Sequence, residues 1–119
     1  MTRFDVVLID DLRSFKERKP ATVIRTAAES LSWVETLSPE DSIGELWLDH
    51  DLGEDQFGIP TSIMPFVSKL EELAFFDKAP EIEKIWVHTS NPVGGKQIEQ
   101  ALGRFFNTSK VYAGVYFNV

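Results

Sequence analysis

Three apolar runs that each end abruptly in a polar side chain constrain the fold of this chain more than any other feature. The runs cover residues 4–9, 43–48 and 82–87, and the residues that end them are Asp10, Asp49 and His88. Short runs that are mainly apolar, as the first is apart from Asp5, are typical of strands that are buried on both faces of a parallel sheet. We therefore predict three buried parallel strands whose carboxyl ends carry acidic residues and a histidine.

Helical segments alternate with these strands along the chain. The sequence predicts helices over residues 27–37, 61–76 and 94–106, the first with a capping box formed by Thr26 and Glu29, and further strands over residues 22–25 and 111–117. This alternation predicts right-handed βαβ crossovers and a parallel sheet covered by helices. We expect an α/β, flavodoxin-like three-layer sandwich with a five-stranded, mainly parallel sheet in the order 2-1-3-4-5. The connection between the first two strands is short, so the helix complement should be reduced.

Composition narrows the class of protein and its partners. With 119 residues, we expect residues 1–119 to form a single domain. The net charge is −7 and no basic cluster occurs, which excludes an extended nucleic-acid surface. The absence of cysteine excludes thiolate metal sites. No apolar run approaches the roughly 18–20 residues of a membrane span, so we expect a soluble, cytoplasmic protein without a membrane partner.

Polar side chains gather where three of the predicted strands end. In open parallel sheets, ligands bind outside the carboxyl ends of the strands, near the point where the strand order reverses. Strands 1, 3 and 4 are neighbours in the predicted order, so their terminal residues should converge: Asp10, Asp11, Asp49, His50, Asp51, His88, Thr89, Ser90 and Asn91. The alternative is that polar loop residues simply begin at strand ends, which is a strong objection for Asp51 taken alone.

Three of these carboxylates are candidates for a metal site. Carboxylates that face one opening repel one another unless a cation or bound protons neutralise them. Asp10, Asp11 and Asp49 are therefore predicted to share one Mg²⁺ or Mn²⁺ ion, since both ions prefer oxygen ligands.

The two histidines of the chain, His50 and His88, both follow predicted strands. Three roles remain open for them: a general acid–base pair, ligands of a transition metal, or structural hydrogen-bonding groups. Because both follow strand ends, we expect that truncating either ring opens no cavity in the core.

The segment from Ser90 to Lys96 has the composition of a turn that leads into a helix N-terminus. Free N–H groups and the helix dipole favour anions there, although an ordinary Pro–Gly turn has the same composition. Arg13 lies in the loop after the first strand and is a further candidate for a phosphorylated ligand. The pairs Phe75–Phe76 and Phe105–Phe106 end two predicted helices, where they either pack or form a homodimer patch.

The sequence resembles the receiver-like superfamily of two-component signalling, and more closely the branch called cyclic-phosphate-processing receiver domains. The resemblance spans about residues 4 to 102 and lies in three segments: LIDDLR at residues 8–13, LDHDLG at 48–53 and HTSNPVG at 88–94. The general receiver pattern implies Mg²⁺ ligands at Asp10 and Asp11, a phospho-accepting Asp49 and a hydroxyl switch at Thr89 or Ser90. It also implies a lysine at the end of the fifth strand, which residues 115–117 lack, and a fifth helix, which we do not find before Val119. We therefore expect no stable phospho-aspartate.

The cyclic-phosphate branch implies processing of a cyclic phosphate on a nucleotide, an RNA end or an ADP-ribose derivative. We accordingly predict a metal-assisted phosphoesterase with a small phosphorylated or cyclic-nucleotide ligand. The predicted catalytic residues are His50, His88 and Asp49, and the predicted phosphate-binding residues are Arg13, Asp51, Thr89, Ser90, Asn91, Gly94 and Lys96. Two alternatives stay open: a non-catalytic protein that sequesters a phosphorylated nucleotide, and a degenerate receiver that acts as a protein-interaction module.

Overall fold

A computed structural model describes residues 1–16, 22–112 and 116–117 of the chain. These parts contain seven strands and three helices. In chain order they are β1 (Arg3–Ile9), β2 (Thr22–Ile24), α1 (Ala27–Val34), β3 (Ser42–Leu48), β4 (Asp51–Glu54), β5 (Pro60–Ser62), α2 (Met64–Phe75), β6 (Glu81–Val87), α3 (Pro92–Leu102) and β7 (Thr108–Lys110).

Five of the strands form one parallel sheet in the order β2-β1-β3-β6-β7. This order corresponds to the predicted 2-1-3-4-5, because the antiparallel hairpin β4–β5 is inserted between β3 and α2 and shifts only the numbering. The predicted α/β, flavodoxin-like fold class is confirmed. The register aligns Ile9, Leu48 and Val87 across the three central strands. The residues that follow these three therefore lie side by side at the carboxyl edge of the sheet.

Helix α1 begins at Ala27 as predicted, whereas its end and both ends of the other two helices differ from the prediction. The capping box of α1 is present, since the Thr26 hydroxyl accepts a hydrogen bond from the Glu29 amide at 3.1 Å and contacts the Glu29 carboxylate at 3.0 Å. Helix α2 begins three residues later than predicted, because residues 60–62 pair with β4 instead. In the parts of the chain that the structure describes, no helix is long and apolar enough to cross a membrane.

The two faces of the sheet are covered differently. Helices α1, α2 and α3 pack side by side and share one hydrophobic core with the sheet. On the opposite face, Leu8 and Trp47 form a smaller cluster with Phe15 and Phe117. The Phe15 and Trp47 rings meet edge to face with centroids 4.9 Å apart. The second cluster lies directly beneath the residues that follow β1 and β6, so aromatic side chains surround the base of the predicted site.

The prediction for the last strand is wrong. The fifth strand of the parallel sheet is Thr108–Lys110, which pairs with β6 through Ile85–Thr108 and Val87–Lys110. The predicted strand, residues 111–117, includes residues 113–115, which lie outside the described parts. An edge strand is open on one side and need not be apolar, so the polar sequence of β7 gave no strand signal. Lys110 therefore ends the fifth strand, where the sequence analysis expected no lysine.

One phenylalanine pair at a helix end is exposed, whereas the other is divided, because Phe106 packs against the main core. Phe75 and Phe76 follow one another at the end of α2, with ring centroids 5.1 Å apart, and Phe105 is exposed after α3. A homodimer formed through these rings stays a prediction.

Candidate functional site

Three buried groups form the centre of the site at the carboxyl edge of the sheet. Asp10, Asp49 and His88 follow β1, β3 and β6 directly, and one ligand atom from each lies within 4.8 Å of the others. The chain continues the sheet's hydrogen bonding here, since the Asp49 amide donates to Ile9 and the His88 amide donates to Leu48. The predicted convergence of the strand ends thus follows from the register, and we call these three residues the acidic cluster.

Asp10 is the most firmly held member of the acidic cluster. Its Oδ2 lies 2.9 Å from Nε2 of His88, and its Oδ1 accepts hydrogen bonds from the amides of Leu12 and Arg13, each at 2.9 Å. Burial alone would raise the pKa of Asp10, but these hydrogen bonds outweigh it and hold the pKa below the ordinary value. Because an ionised carboxylate has only acceptor atoms, Nε2 of His88 is the donor.

The pKa of Asp49 is shifted in the opposite direction from that of Asp10. Burial penalises its charged form and the negative charge of Asp10 adds to the effect, so the pKa of Asp49 is raised above its ordinary value. A hydrogen bond from Thr89 and the nearby positive charges offset only part of this rise. Neighbouring carboxyl groups whose pKa values are pushed apart are a common basis for assigning proton-transfer roles. Of the two aspartates in the cluster, Asp49 is the one that holds a proton more readily.

Arg13 supplies positive charge to the acidic cluster. Its Nη1 lies 3.7 Å from Oδ2 of Asp10 and 3.8 Å from Oδ2 of Asp49, and it donates a hydrogen bond to the His88 carbonyl at 3.2 Å. Arg25 in turn holds this loop, since its Nη1 donates to the carbonyls of Arg13 and Asp10. The guanidinium of Arg13 therefore provides the counter-charge that the sequence analysis assigned to a metal ion.

The cluster also has a donor set that a divalent ion accepts. Two carboxylates and one imidazole suit Mn²⁺ better than Mg²⁺, which prefers oxygen ligands and retains several waters. The predicted set differed, because it contained Asp11 in place of His88. Among the described residues, Asp11 is not part of the group, and its Oδ2 lies only 3.2 Å from where a Cβ on Gly53 would be. Metal ligation by Asp11 stays a prediction.

A cleft of about 720 Å³ opens beside the acidic cluster. Four of the predicted phosphate-binding residues line it together with six others: Arg13, Val87, Thr89, Ser90, Asn91, Pro92, Gly95, Lys110, Val111 and Tyr112. Lys110 and Tyr112 were missed because the last strand was misplaced. No local signal in the polar sequence of β7 could have revealed them. A second groove, of about 660 Å³, is lined by Arg3, Trp86 and neighbouring residues and contains no member of the acidic cluster.

Two of the predicted phosphate-binding residues, Gly94 and Lys96, lie near the start of α3 but do not line the cleft. Asn91 caps the helix, and its Oδ1 accepts a hydrogen bond from the Gly94 amide at 2.9 Å. A Cβ at Gly94 would overlap the ring of His50, so this glycine allows the ring to pack against the helix. Lys96 is exposed and lines a shallow depression on α3 rather than the cleft. Phosphate binding by Gly94 and Lys96 stays a prediction.

The two histidines belong to different hydrogen-bonded groups. His50 Nδ1 lies 3.0 Å from Oδ1 of Asp51, whose Oδ2 lies 3.5 Å from Nδ2 of Asn91. Among the residues that the structure describes, neither buried Nε2 of His50 nor buried Nδ1 of His88 has a hydrogen-bond partner. Neither ring is among the residues that line the cleft in the described parts of the chain. Their use as an acid–base pair stays a prediction, and it requires a ring nitrogen to reach the ligand.

His88 is also a core residue, which the sequence analysis did not expect. Its ring is fully buried, and its centroid lies 4.6 Å from that of Phe117 and 6.1 Å from that of Trp47. The expectation that truncation of His88 opens no cavity is therefore wrong.

Replacing His88 with Ala should lower the free energy of unfolding by about 3–5 kcal/mol, because the change leaves buried Asp10 without its partner and empties space beside Phe117. His50→Ala is the matched control and should cost only about 1 kcal/mol, since its partner Asp51 is exposed. Urea unfolding of both variants measures the difference. Equal losses in the two variants would contradict a special role of the buried pair.

Asp49→Asn and Asp10→Asn should have opposite effects on stability at pH 7. Because the pKa of Asp49 is raised in the folded state, Asp49 stabilises the fold at pH values below 3.8, the ordinary pKa of the group. This stabilisation is lost as the pH rises through the pKa that Asp49 has in the folded protein. Asp49→Asn should therefore stabilise the protein at pH 7, with a gain that shrinks toward pH 3.8 and below. Asp10 has a lowered pKa, so its contribution is present above 3.8 and is lost as the pH falls through its folded pKa.

Asp10→Asn should accordingly destabilise the protein at pH 7, with a loss that shrinks in acid. Urea titrations between pH 3 and pH 8 in the presence of a chelator measure both differences. The pKa directions would be refuted if both variants shifted stability the same way at pH 7.

The wider comparisons agree with this geometry. A family model described as the cyclic-phosphate processing receiver domain matches residues 6–104. The matched range contains the whole acidic cluster and ends before Lys110 and Tyr112. No curated protein and no solved structure matches the chain significantly. Since the match covers most of the chain and the sheet order is that of the predicted fold, the chain belongs to the family of cyclic-phosphate processing receiver domains.

Proposed function

We propose that this chain hydrolyses a cyclic phosphate on a small nucleotide-type ligand that binds in the cleft. One observation carries the proposal: Asp49, a buried carboxyl group with a raised pKa, is hydrogen-bonded to Thr89 and lies 3.8 Å from Arg13, and these two residues line the cleft together with Lys110. A proton-transfer group thus lies next to cationic groups that suit a phosphate. Membership of a cyclic-phosphate processing family supports the same reaction class.

Hydrolysis of a cyclic phosphate has simple requirements. Water adds to phosphorus, one phosphorus–oxygen bond of the ring breaks, and the products are a phosphomonoester and a free hydroxyl group. The water must lose a proton and the leaving oxygen must gain one. We assign the first transfer to ionised Asp49, whose raised pKa brings it nearer to a neutral working pH.

The histidines have distinct proposed roles. His50 is the proposed donor to the leaving oxygen. Its ring must turn from Asp51 toward the cleft to reach that oxygen, because the Asn91 amide between them relays no proton. His88 donates to Asp10, so we propose that it acts on the reaction by keeping Asp10 ionised beside Asp49.

The negative charge of the phosphate requires positive charge and hydrogen-bond donors. Lys110 and Arg13 supply the charge, and the Ser90 hydroxyl with the second N–H of the Asn91 side chain supplies donors along the same cleft. A divalent ion bound by the acidic cluster would add positive charge for the phosphoryl oxygens.

A panel of cyclic phosphates, incubated with the protein with and without Mn²⁺ or Mg²⁺ and followed by phosphorus NMR, tests the reaction. We expect ring opening by the wild-type chain and a loss of about 10²–10⁴ in turnover for Asp49→Asn. Absence of ring opening throughout the panel would refute hydrolysis. Tight binding without turnover would instead support the sequestering alternative.

Lys110→Ala and Lys96→Ala form a matched pair for the phosphate contact. Loss of a charge-assisted hydrogen bond costs about 1.5–3 kcal/mol, so Lys110→Ala should weaken ligand binding about tenfold to a hundredfold. Lys96 is exposed outside the cleft, and its replacement should leave binding unchanged. Isothermal titration gives both affinities. A larger effect at Lys96 would show that the phosphate binds at the start of α3.

A second candidate function is phosphorylation of Asp49 as in a signalling receiver. The sequence analysis argued against it because the fifth strand was predicted to lack a lysine, and that argument fails now that β7 ends at Lys110. The hydroxyl of Thr89 beside Asp49 favours the same candidate. A stable beryllofluoride adduct, or labelling by acetyl phosphate, that is lost in Asp49→Asn would support it. No adduct at any Mg²⁺ concentration would refute it.

A further inference from the structure

Tyr112 is an aromatic side chain that the fold leaves open to solvent at the cleft. It is 87% exposed and lies among the residues that line the cleft. The preceding residue is anchored, because the Val111 amide donates a hydrogen bond to the Val87 carbonyl at 2.9 Å. Scattered exposed apolar side chains need no explanation, but this residue follows an anchored backbone position and lines a cleft with charged groups.

The walls of the cleft differ in character. Arg13, Thr89, Ser90, Asn91 and Lys110 supply charge and hydrogen-bonding groups, whereas Val87, Pro92, Val111 and the ring of Tyr112 supply apolar surface. A ligand that satisfies both kinds of wall has an anionic group and a flat apolar group. The volume of about 720 Å³ lies within the range of roughly 300–1,000 Å³ for small-molecule sites, and it exceeds what a phosphate alone requires.

The spacing along the chain limits how far apart these two parts of the ligand are. Only Val111 separates Lys110 from Tyr112, so their Cα atoms lie at most about 7 Å apart. The two side chains thus start from the same stretch of the cleft wall, which suits a ligand whose anionic and flat groups are near one another, as a phosphate and a base are on one ribose.

We propose that Tyr112 is a specificity-determining residue whose ring stacks on the base of a nucleoside cyclic phosphate, while Lys110 and Arg13 hold the phosphate. The inference rests on the proposed function for the phosphate end of the ligand. The inference adds that the ligand carries a base. It also favours a free mononucleotide over an RNA end as the ligand, because the net charge of −7 on the protein repels a long phosphate backbone. Tyr112 lies beyond the residues matched by the family model, so this preference belongs to the chain's own last segment.

Affinity measurements with three ligands test the proposal. The ligands are an adenosine cyclic phosphate, the cyclic phosphate of a methyl riboside, which has no base, and a short RNA that ends in a cyclic phosphate. Stacking of one base is typically worth about 1–3 kcal/mol, so Tyr112→Ala should weaken the adenosine ligand roughly fivefold to a hundredfold. The same variant should not change the affinity for the base-free ligand. Tyr112→Phe should bind like the wild type.

Phe57→Ala is the matched control, because Phe57 is an exposed aromatic residue that does not line the cleft. It should leave all affinities unchanged. The proposal is overturned if Tyr112→Ala binds the adenosine ligand normally, if Phe57→Ala loses as much affinity, or if the wild type binds the adenosine ligand no better than the base-free one. Binding of the RNA more than about tenfold tighter than the mononucleotide overturns the choice of ligand.

Failure of this inference is distinguishable from failure of the proposed function. Base-dependent binding without ring opening in phosphorus NMR would support the stacking role and refute hydrolysis. Ring opening at equal kcat/KM with and without a base would support hydrolysis and overturn the stacking role.

Discussion

The buried hydrogen bond between Asp10 and His88 determines the electrostatics of the whole site. It joins residues that follow β1 and β6, which lie on either side of β3. Because this bond and two backbone amides keep Asp10 ionised, its negative charge acts on Asp49 and contributes to the raised pKa there. A pair of identical aspartates thus acquires different proton affinities through one contact. The aromatic cluster beneath the site excludes water from the pair and strengthens the effect.

Arg13 gives the acidic cluster an alternative to a bound metal ion. Buried charges are costly unless they are paired, and the guanidinium lies within 4 Å of both carboxylates. A divalent ion that binds to Asp10 and Asp49 must share this space with Arg13 or displace it toward the cleft, which the same side chain lines. We therefore expect that cation binding to the acidic cluster and phosphate binding in the cleft influence one another through Arg13.

The polar edge strand β7 decides whether the cleft includes a lysine at the end of the fifth strand of the parallel sheet. It is only three residues long, yet it places Lys110 in the cleft and anchors the segment that carries Tyr112. Without it, the chain resembles a receiver that has lost its lysine. With it, the cleft includes a lysine, whose Nζ lies 3.5 Å from Oε1 of Glu99, and both the phosphoesterase and the phosphorylated-receiver interpretations have a candidate cation for the phosphoryl group.

Sequence alone determined the central strands, their order and the convergence of Asp10, Asp49 and His88, because buried parallel strands have continuous apolar runs and a strand's end is visible where the run stops. It also determined the capping box of α1, which depends only on residues close in sequence. Tertiary structure alone decided that Lys110 ends the sheet, since an edge strand that is open on one side needs no apolar pattern. It alone decided that His88 is a buried partner of Asp10, that Asp11 lies outside the acidic cluster, and that Arg13 lies between two carboxylates. Those facts depend on distances between residues up to 78 positions apart in the chain, and no local pattern of residues records such distances.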